Sequence, residues 1–315
     1  MSSLAGGLRP DEVWPTGATL GAGIIGSPVR HSLSPVLHNA AFASVGLDWA
    51  YLAFDVAPGS GAKAIEGAKA LGLRGLSVTM PHKADAAAAV DRLGPCADRL
   101  GGVNTVVFVD DGTYGESTDG AGFLAGVREA AGFVPASSKC VVVGAGGAGR
   151  AVVLALAEAG AAEVSVVNRT PERALAAAAL AGPDVGRVVA GAAVAAAVGG
   201  ADLIVNATPL GMGMPAGAAD TASRDDAADG WRAGGDRLPL DPAQIRPGQI
   251  VVDLVYHPTE TPFLREAAKR GARTVNGLPM LVHQAARQFE MWTGLAAPVG
   301  AMRAALEAKL AETGR

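Results

Sequence analysis

Only two cysteines, Cys96 and Cys140, occur in 315 residues. That leaves no disulfide framework, and two thiols in a reducing compartment is the plain reading, so a cytoplasmic protein is expected. No sign of charge dominates: 26 Lys and Arg stand against 30 Asp and Glu, a net of −4. No basic stripe is present, so a nucleic-acid partner is not expected. No apolar run approaches the roughly 18 residues that a membrane span needs, so no membrane partner is expected either. The opening MSSLAGGLRPDEVWPTG lacks the basic start and apolar stretch of a secretory signal, and is read as a loose leader. His31, His38, His82, His257 and His283 lack metal-ligand spacing with Cys or carboxylates, so no metal is expected. Neither a G-x-S-x-G elbow nor a Walker phosphate loop occurs. Aromatics are few, at 4%.

What the chain has is apolar material, half of its residues, over a length that suggests about two domains. Its clearest pattern is Cys140 to Arg150, CVVVGAGGAGR. Cys140 to Val143 is apolar, β-branched and without alternation, which predicts a buried parallel strand. Gly144, Gly146 and Gly149 follow in the spacing G-x-G-x-x-G, and Ala151 to Ala159 is a run of helix formers stopped by Gly160. Strand, glycine turn and helix in this order match the dinucleotide-binding context, in which a helix N-terminus meets a pyrophosphate. A bare packing turn is the alternative. The next strand, Glu163 to Val167, ends at Asn168, Arg169, Thr170 and Arg173, without the acidic residue that NAD sites place there. Donors and positive charge at this point suit a 2′-phosphate, hence NADP(H). Thr170 also reads as a helix cap, with Pro171 at the first helical position.

The preceding residues form a βαβ half with a hairpin-like end. Strands are predicted at Thr19 to Ile25, Trp49 to Asp55, Leu73 to Val78, Asn104 to Val109 and Thr113 to Glu116. Helices are predicted at Val36 to Val45, with Ser34 as cap and Pro35 first, and at Ser60 to Leu71. Pro81 begins another, and Thr118-Asp119-Gly120 opens one reaching about Ala131. Ser32 and Ser34 offer hydroxyls beside a helix N-terminus, either a seat for a carboxylate or simply a turn and a cap. Lys83, in the first turn, opposes the helix dipole and marks either a proton donor or a tolerated surface lysine. Asp119 caps its helix or accepts from a substrate hydroxyl; Asn104 does likewise or satisfies a turn. Further on, strands are expected at Leu203 to Asn206, Ile250 to Leu254 and Arg273 to Asn276, and helices at Thr261 to Arg270, Leu278 to Trp292 and Pro298 to Glu312. Pro215 to Pro239 is polar and patternless, and is read as a mobile surface insertion.

Together these pieces resemble a known family. They are Gly26-Ser27-Pro28, His31-Ser32-Leu33-Ser34-Pro35 and His38-Asn39; Ser77-Val78-Thr79-Met80-Pro81-His82-Lys83; Gly102-Val103-Asn104-Thr105; and Thr118-Asp119-Gly120. The glycine loop, Asn168-Arg169-Thr170, Asn206-Ala207-Thr208-Pro209-Leu210-Gly211-Met212, Asp253 with Tyr256, and Met280-Leu281-Val282 with Gln284-Ala285-Ala286 complete the set. In this order they closely resemble the shikimate dehydrogenase family, from about Gly26 to Trp292. The resemblance implies two α/β domains with the substrate in the cleft between them. Residues 1–118 plus 278–315 would be the substrate-binding and catalytic domain, and 119–277 a Rossmann-type NADP-binding domain, with the last helices returning to the first.

It also implies NADPH-dependent, reversible reduction of 3-dehydroshikimate to shikimate, on the route to chorismate and the aromatic amino acids. By that likeness Lys83 and Asp119 are the catalytic pair, and Ser32 and Ser34 hold the substrate carboxylate. Thr79, Asn104 and Gln284 bind ring hydroxyls, with Tyr256 nearby. Gly144, Ala145, Gly146, Gly147, Ala148 and Gly149 hold the cofactor, with Asn168, Arg169, Thr170, Arg173, Thr208 and Gly277. A homodimer is left open. Ser77 and Ser117 stand where many members have Asn, Gly102 where Ala is usual, and His82 where Phe is common. The insertion is longer than expected. His82, beside Lys83, leaves quinate use open. A quinate or aminoshikimate dehydrogenase, or a catalytically inactive NADPH-binding sensor, are the other readings. Ser34 in place of a bulkier Thr leans toward shikimate, and the presence of both Lys83 and Asp119 argues against the sensor.

Overall fold

The structure is a computed structural model that describes residues 14–212, 232–233 and 236–313. It is α/β throughout and falls into two compact units: the first ends at Thr118 and resumes at Val282, and the second is Asp119–Leu281. The sequence places the return at Leu278; the division lies inside the helix that begins there.

The first unit contains β1 (Leu20–Gly26), α1 (Ser34–Ser44), β2 (Trp49–Asp55), α2 (Gly61–Ala70), β3 (Gly75–Val78) and α3 (Lys83–Ala89). They are followed by β4 (Arg92–Leu93), α4 (Pro95–Leu100), β5 (Thr105–Val109) and β6 (Gly112–Glu116). The sheet order is β2-β1-β3-β5-β6-β4. β1 pairs in parallel with β2 and β3, and β5 and β6 form the antiparallel hairpin about Asp110-Asp111. Apolar residues of β1, β3 and β5, with Ile65 of α2, make one core with Ala86 and Val103. A second packing layer is aromatic: Phe42 packs against both Trp49 and Phe289, and the Trp292 indole donates to the Val106 carbonyl at 3.0 Å.

The second unit runs α5 (Asp119–Ala131), β7 (Lys139–Val143), α6 (Gly147–Glu158), β8 (Glu163–Val167), α7 (Pro171–Ala179), β9 (Gly186–Val188), α8 (Ala193–Gly200) and β10 (Leu203–Asn206). There follow β11 (Arg232–Ala233), β12 (Asp236–Arg237), β13 (Ile250–Asp253), α9 (Pro262–Lys269), β14 (Arg273–Val275) and α10 (Leu278–Thr293), which crosses into the first unit. The last helix, α11 (Val299–Thr313), packs on α1. The large sheet has the order β14-β13-β10-β7-β8-β9, parallel throughout. Apolar clusters cover both its faces, which is why its strands read as unbroken hydrophobic runs. The strand order reverses between β7 and β10, the switch point at which doubly wound sheets bind ligands beyond the strand ends.

Several sequence expectations are corrected. Ser34 is the first residue of α1 and not its cap; Leu33 holds the cap position, because its carbonyl already accepts from Val36 and Leu37. Pro81 lies outside α3, which begins at Lys83 after a turn closed by the His82 N–H on the Thr79 carbonyl at 3.0 Å. α6 begins at Gly147, ahead of the Ala151 expected from propensity, since packing of the glycine turn overrides the cost of glycine in a helix. Most of the insertion read from Pro215 to Pro239 lies outside the described residues, but its end is not patternless: Leu238 is buried in the core beside Val141 and Phe263. Among the described residues, no helix is long and apolar enough to cross a membrane.

Candidate active site

In the second unit, Gly144 follows β7 with φ +106°, a left-handed conformation that a side chain resists. Its N–H donates to the Val167 carbonyl, and the Ala207 N–H donates to Val143, so the loop is held between the ends of β8 and β10. A Cβ on Gly149 would lie 2.1 Å from the Gly144 carbonyl oxygen, so α6 reaches its strand only because that position is glycine. A Cβ on Gly146 would meet nothing within 4 Å. The open side of the turn therefore lies at Gly146 and Gly147, where α6 begins without a side-chain cap and its first N–H groups are available to an anion. Ala145 is buried, and its N–H donates to Asn168 Oδ1 at 3.1 Å; the Asn168 amide donates to the Thr170 carbonyl. Asn168 thus braces the loop, a task that occupies its side chain. Thr170 is the cap residue of α7 but makes no side-chain cap bond, while Arg169 and Arg173 are exposed beside it.

At the neighbouring strand ends, Asn206 and Asp253 form a buried pair. The Asn206 amide donates to Asp253 Oδ1 at 2.9 Å, Thr261 Oγ1 donates to Oδ2 at 2.6 Å, and the Val255 N–H donates at 3.1 Å. Burial outweighs these donors and pushes the Asp253 carboxyl up to about 6. Asn206 Oδ1 accepts the Thr208 hydroxyl at 2.6 Å, which sets Thr208 against Gly144. Gly277 packs on the Leu254 carbonyl, and its N–H donates to Val255, the neighbour of Tyr256. Burial raises the Tyr256 phenol. The glycine turn, Asn168 and Thr208 are therefore brought together by hydrogen bonds, as separately are Tyr256 and Gly277.

In the first unit, Ser32 Oγ accepts the Ser34 N–H at 3.2 Å at the start of α1, and Ser34 is buried. Thr79 follows β3 and packs its methyl toward Gly26. Lys83 begins α3, half-buried, and its carbonyl accepts from Val103 at 2.9 Å, so the lysine backbone is tied to the segment carrying Asn104. Asn104 is buried, and its Oδ1 accepts from the Thr118 N–H and from Thr105 Oγ1 at 2.9 and 2.7 Å. That fixes Thr118, the residue before the buried Asp119. Gln284 lies half-buried on α10.

The His82 ring points into the protein interior. Its ring is fully buried, with Nε2 2.8 Å from the Val56 carbonyl and Nδ1 3.5 Å from Asp85. Adjacency to Lys83 says nothing about its direction, because consecutive residues at a helix start point apart. Sequence reasoning also gave no role to Tyr51, Ser77 and Gln288, all buried and hydrogen-bonded together. Only Gln288 had a signal. It is the one polar residue among Val282, Ala285, Ala286, Phe289 and Trp292 on the buried face of α10.

The comparisons with known proteins fit this arrangement. A family model described as "Shikimate dehydrogenase substrate binding domain" matches residues 24–106; "Shikimate / quinate 5-dehydrogenase" matches 129–210, and "Shikimate 5'-dehydrogenase C-terminal domain" matches 277–307. The chain is 47% identical to the NADP(+) shikimate dehydrogenase of Moorella thermoacetica, over 89% of this chain and 90% of that one. It is 45% identical to that of Rubrobacter xylanophilus, over 92% and 96%. Among solved structures, the shikimate 5-dehydrogenase of Thermus thermophilus in complex with NADP(H) and shikimate matches with a TM-score of 0.78 at 38% identity, over 92% of this chain and 99% of that one. Likeness of this degree, extending through both compact units, makes the chain a member of the shikimate dehydrogenase family.

Proposed function

We propose that this protein is an NADP-dependent shikimate dehydrogenase, reducing 3-dehydroshikimate reversibly to shikimate in the synthesis of chorismate and the aromatic amino acids. The observation that carries the reading is the 47% identity to an NADP(+) shikimate dehydrogenase over 89% of the chain. The residues at the glycine turn suit the cofactor: a left-handed Gly144, an open Gly146, uncapped N–H groups at the start of α6 and two exposed arginines after β8. When bound, the nicotinamide supplies the hydride. Arg169 and Arg173 meet a 2′-phosphate, which a guanidinium can grip bidentately; Asn168 leaves no carboxylate there to repel it.

In this proposal Ser32 and Ser34 hold the substrate carboxylate, and Thr79, Asn104 and Gln284 bind ring hydroxyls with Tyr256 nearby. Negative charge grows on the carbonyl oxygen as the hydride arrives at carbon. Lys83 gives that oxygen a proton, and Asp119 accepts from the neighbouring hydroxyl and keeps it oriented. Ala145, Gly147, Ala148, Gly149, Thr170, Thr208 and Gly277 complete the cofactor contacts. The first unit, with the end of α10 and α11, is the substrate and catalytic domain; the second is the cofactor domain. A reducing cytoplasm suits the two free thiols, of which Cys140 is pushed up to about 12 by burial and is inert.

The test is a panel followed at 340 nm: shikimate and quinate, each with NADP⁺ and NAD⁺. Shikimate with NADP⁺ is expected to be fastest by a wide margin. A preference for quinate with NAD⁺ would replace the reading with a quinate dehydrogenase, and no turnover with any pair would leave a cofactor-binding sensor.

A further inference from the structure

A hydroxyl beside a glycine turn proposed to hold phosphate would ordinarily be expected to give its proton to a phosphate oxygen. Thr208 stands in that place. A Cβ built on Gly144 would come within 2.9 Å of its methyl. The side chain is half-buried just after β10, on the other side of β7 from the arginines that follow β8. The hydrogen bonds around Thr208 decide what it can offer there.

Its proton is already spent inside the protein. Thr208 Oγ1 lies 2.6 Å from Asn206 Oδ1, a separation that suits two oxygens only with a proton between them. An amide oxygen has none to give, so Thr208 donates. This requires the Asn206 amide to face one way, and its neighbours make it do so. Its nitrogen points to the Leu210 carbonyl at 3.2 Å, which only accepts, and to Asp253 Oδ1 at 2.9 Å. Its oxygen receives the Thr208 N–H at 3.0 Å, which only donates. Turned over, the amide would set oxygen against carbonyl oxygen and N–H against N–H. Asn206 and Asp253 are both 0% exposed, where mismatched polar groups cost most. Asp253 is held in turn by the Thr261 hydroxyl and the Val255 N–H.

Thr208 Oγ1 also accepts the Leu210 N–H at 3.2 Å. A hydroxyl has one proton and two lone pairs. With the proton on Asn206 and one lone pair on Leu210, a single lone pair is left for a ligand. A phosphate oxygen that took the proton would leave Oγ1 and Asn206 Oδ1 as two acceptors 2.6 Å apart. The bonds that hold Thr208 beside the turn therefore also set its polarity. Phosphate is left to the N–H groups at the start of α6 and to the arginines.

We infer that Thr208 meets the dinucleotide as a hydrogen-bond acceptor, taking an O–H or N–H from a sugar hydroxyl or an amino group of the cofactor, while its own proton stays on Asn206. This rests on the placement of NADP(H) at the glycine turn, and adds the kind of group that Thr208 reads.

The experiment is calorimetric titration of the full-length protein, without substrate, with NADP⁺ and with analogues that each lack one donor: the adenine amino group, the adenosine 3′-hydroxyl, the 2′- or 3′-hydroxyl of the nicotinamide ribose, or, in the 3-acetylpyridine analogue, the carboxamide N–H. Wild type, Thr208→Val and Thr208→Ser are compared. Thr208→Val should weaken NADP⁺ about three- to tenfold, and Thr208→Ser, which keeps the hydroxyl, less than about twofold. With one analogue the valine penalty should vanish, since the partner of the hydroxyl is already gone; that analogue identifies the group. A loop merely loosened by valine would weaken every analogue alike, as would loss of a pyrophosphate contact, so a penalty unchanged across all of them overturns the inference. A penalty that disappears with NAD⁺ overturns it too, because Thr208 would then serve the 2′-phosphate. A valine variant that binds NADP⁺ as wild type does overturns it and leaves the cofactor site standing. A wild type that fails to bind NADP⁺ removes the site and the inference together.

Discussion

The two units build the surfaces proposed for binding by opposite means. In the second, the surface proposed for the cofactor is mostly backbone: a left-handed glycine, uncapped helical N–H groups and strand ends at a switch point, with side chains only as braces. In the first, the surface proposed for the substrate is mostly side chain, and the groups come from remote places; Gln288 reaches Asn104 across 184 residues of sequence. A backbone site tolerates little change at a few positions and much change elsewhere. A side-chain site spreads its precision over buried polar contacts, each of which must be satisfied. The buried titratable groups differ as well: the first unit hides two histidines, His38 and His82, and the second two carboxylates, Asp119 and Asp253.

The largest expected effect sharpens the chemistry assigned to the first unit. Lys83→Ala should lower kcat by roughly 10²–10⁴ with KM changed little, as expected for loss of a general acid. Steady-state kinetics at saturating NADPH separate the two; a raised KM with normal kcat would leave Lys83 as a binding group only.

Next comes a contrast in pH dependence. Burial lowers His38 from 6.5 to about 3, so below about pH 6.5 the unfolded chain takes up a proton that the folded one refuses. Stability should fall as pH drops from there, by an amount on the order of 4 kcal/mol near pH 3. Asp253 has the opposite sign. Its carboxyl is raised from 3.8 to about 6, so the folded form holds a proton that the unfolded form has lost. Its contribution is full below pH 4 and is lost as pH rises through 6, by about 3 kcal/mol. Urea unfolding across pH 4–8 should show the acid slope reduced in His38→Gln and the opposing slope removed in Asp253→Asn. Slopes unchanged by either variant would show that these groups titrate normally.

The cofactor side gives the third effect. Arg169→Ala should cost about 1.5–3 kcal/mol in NADPH binding, roughly ten- to a hundredfold, with NADH kinetics barely altered. Equal losses with both cofactors would place Arg169 at the adenine or in the fold. The smallest effect separates two glycines of one turn. Gly149→Ala forces a Cβ onto the Gly144 carbonyl and should destabilise the protein by about 1–3 kcal/mol. Gly146→Ala meets nothing in the protein and should leave the melting temperature unchanged while raising the KM for NADP⁺. Equal melting shifts in the two variants would dissolve the distinction between a packing glycine and a ligand-facing one.

Local pattern was enough for the glycine turn, for the parallel strands β7, β8, β10 and β13, and for the hairpin of β5 and β6. In each case a few adjacent residues carry the whole physical requirement: a φ that only glycine accepts freely, or an apolar run that only burial on both faces explains. At the Asn-Arg-Thr corner the sequence shows the absence of a carboxylate after β8; that the corner meets a 2′-phosphate belongs to the proposal. Folding alone determined that Ser34 is buried as the first residue of α1 instead of capping it, that His82 points inward to Val56, that Leu238 closes the core at the end of a polar stretch, and that Gln288 bridges Ser77 to Asn104. These depend on which distant residue fills the space beside each group. A buried hydroxyl or amide finds its partner through the packing of whole elements, and nothing in its immediate neighbours in the chain specifies that partner.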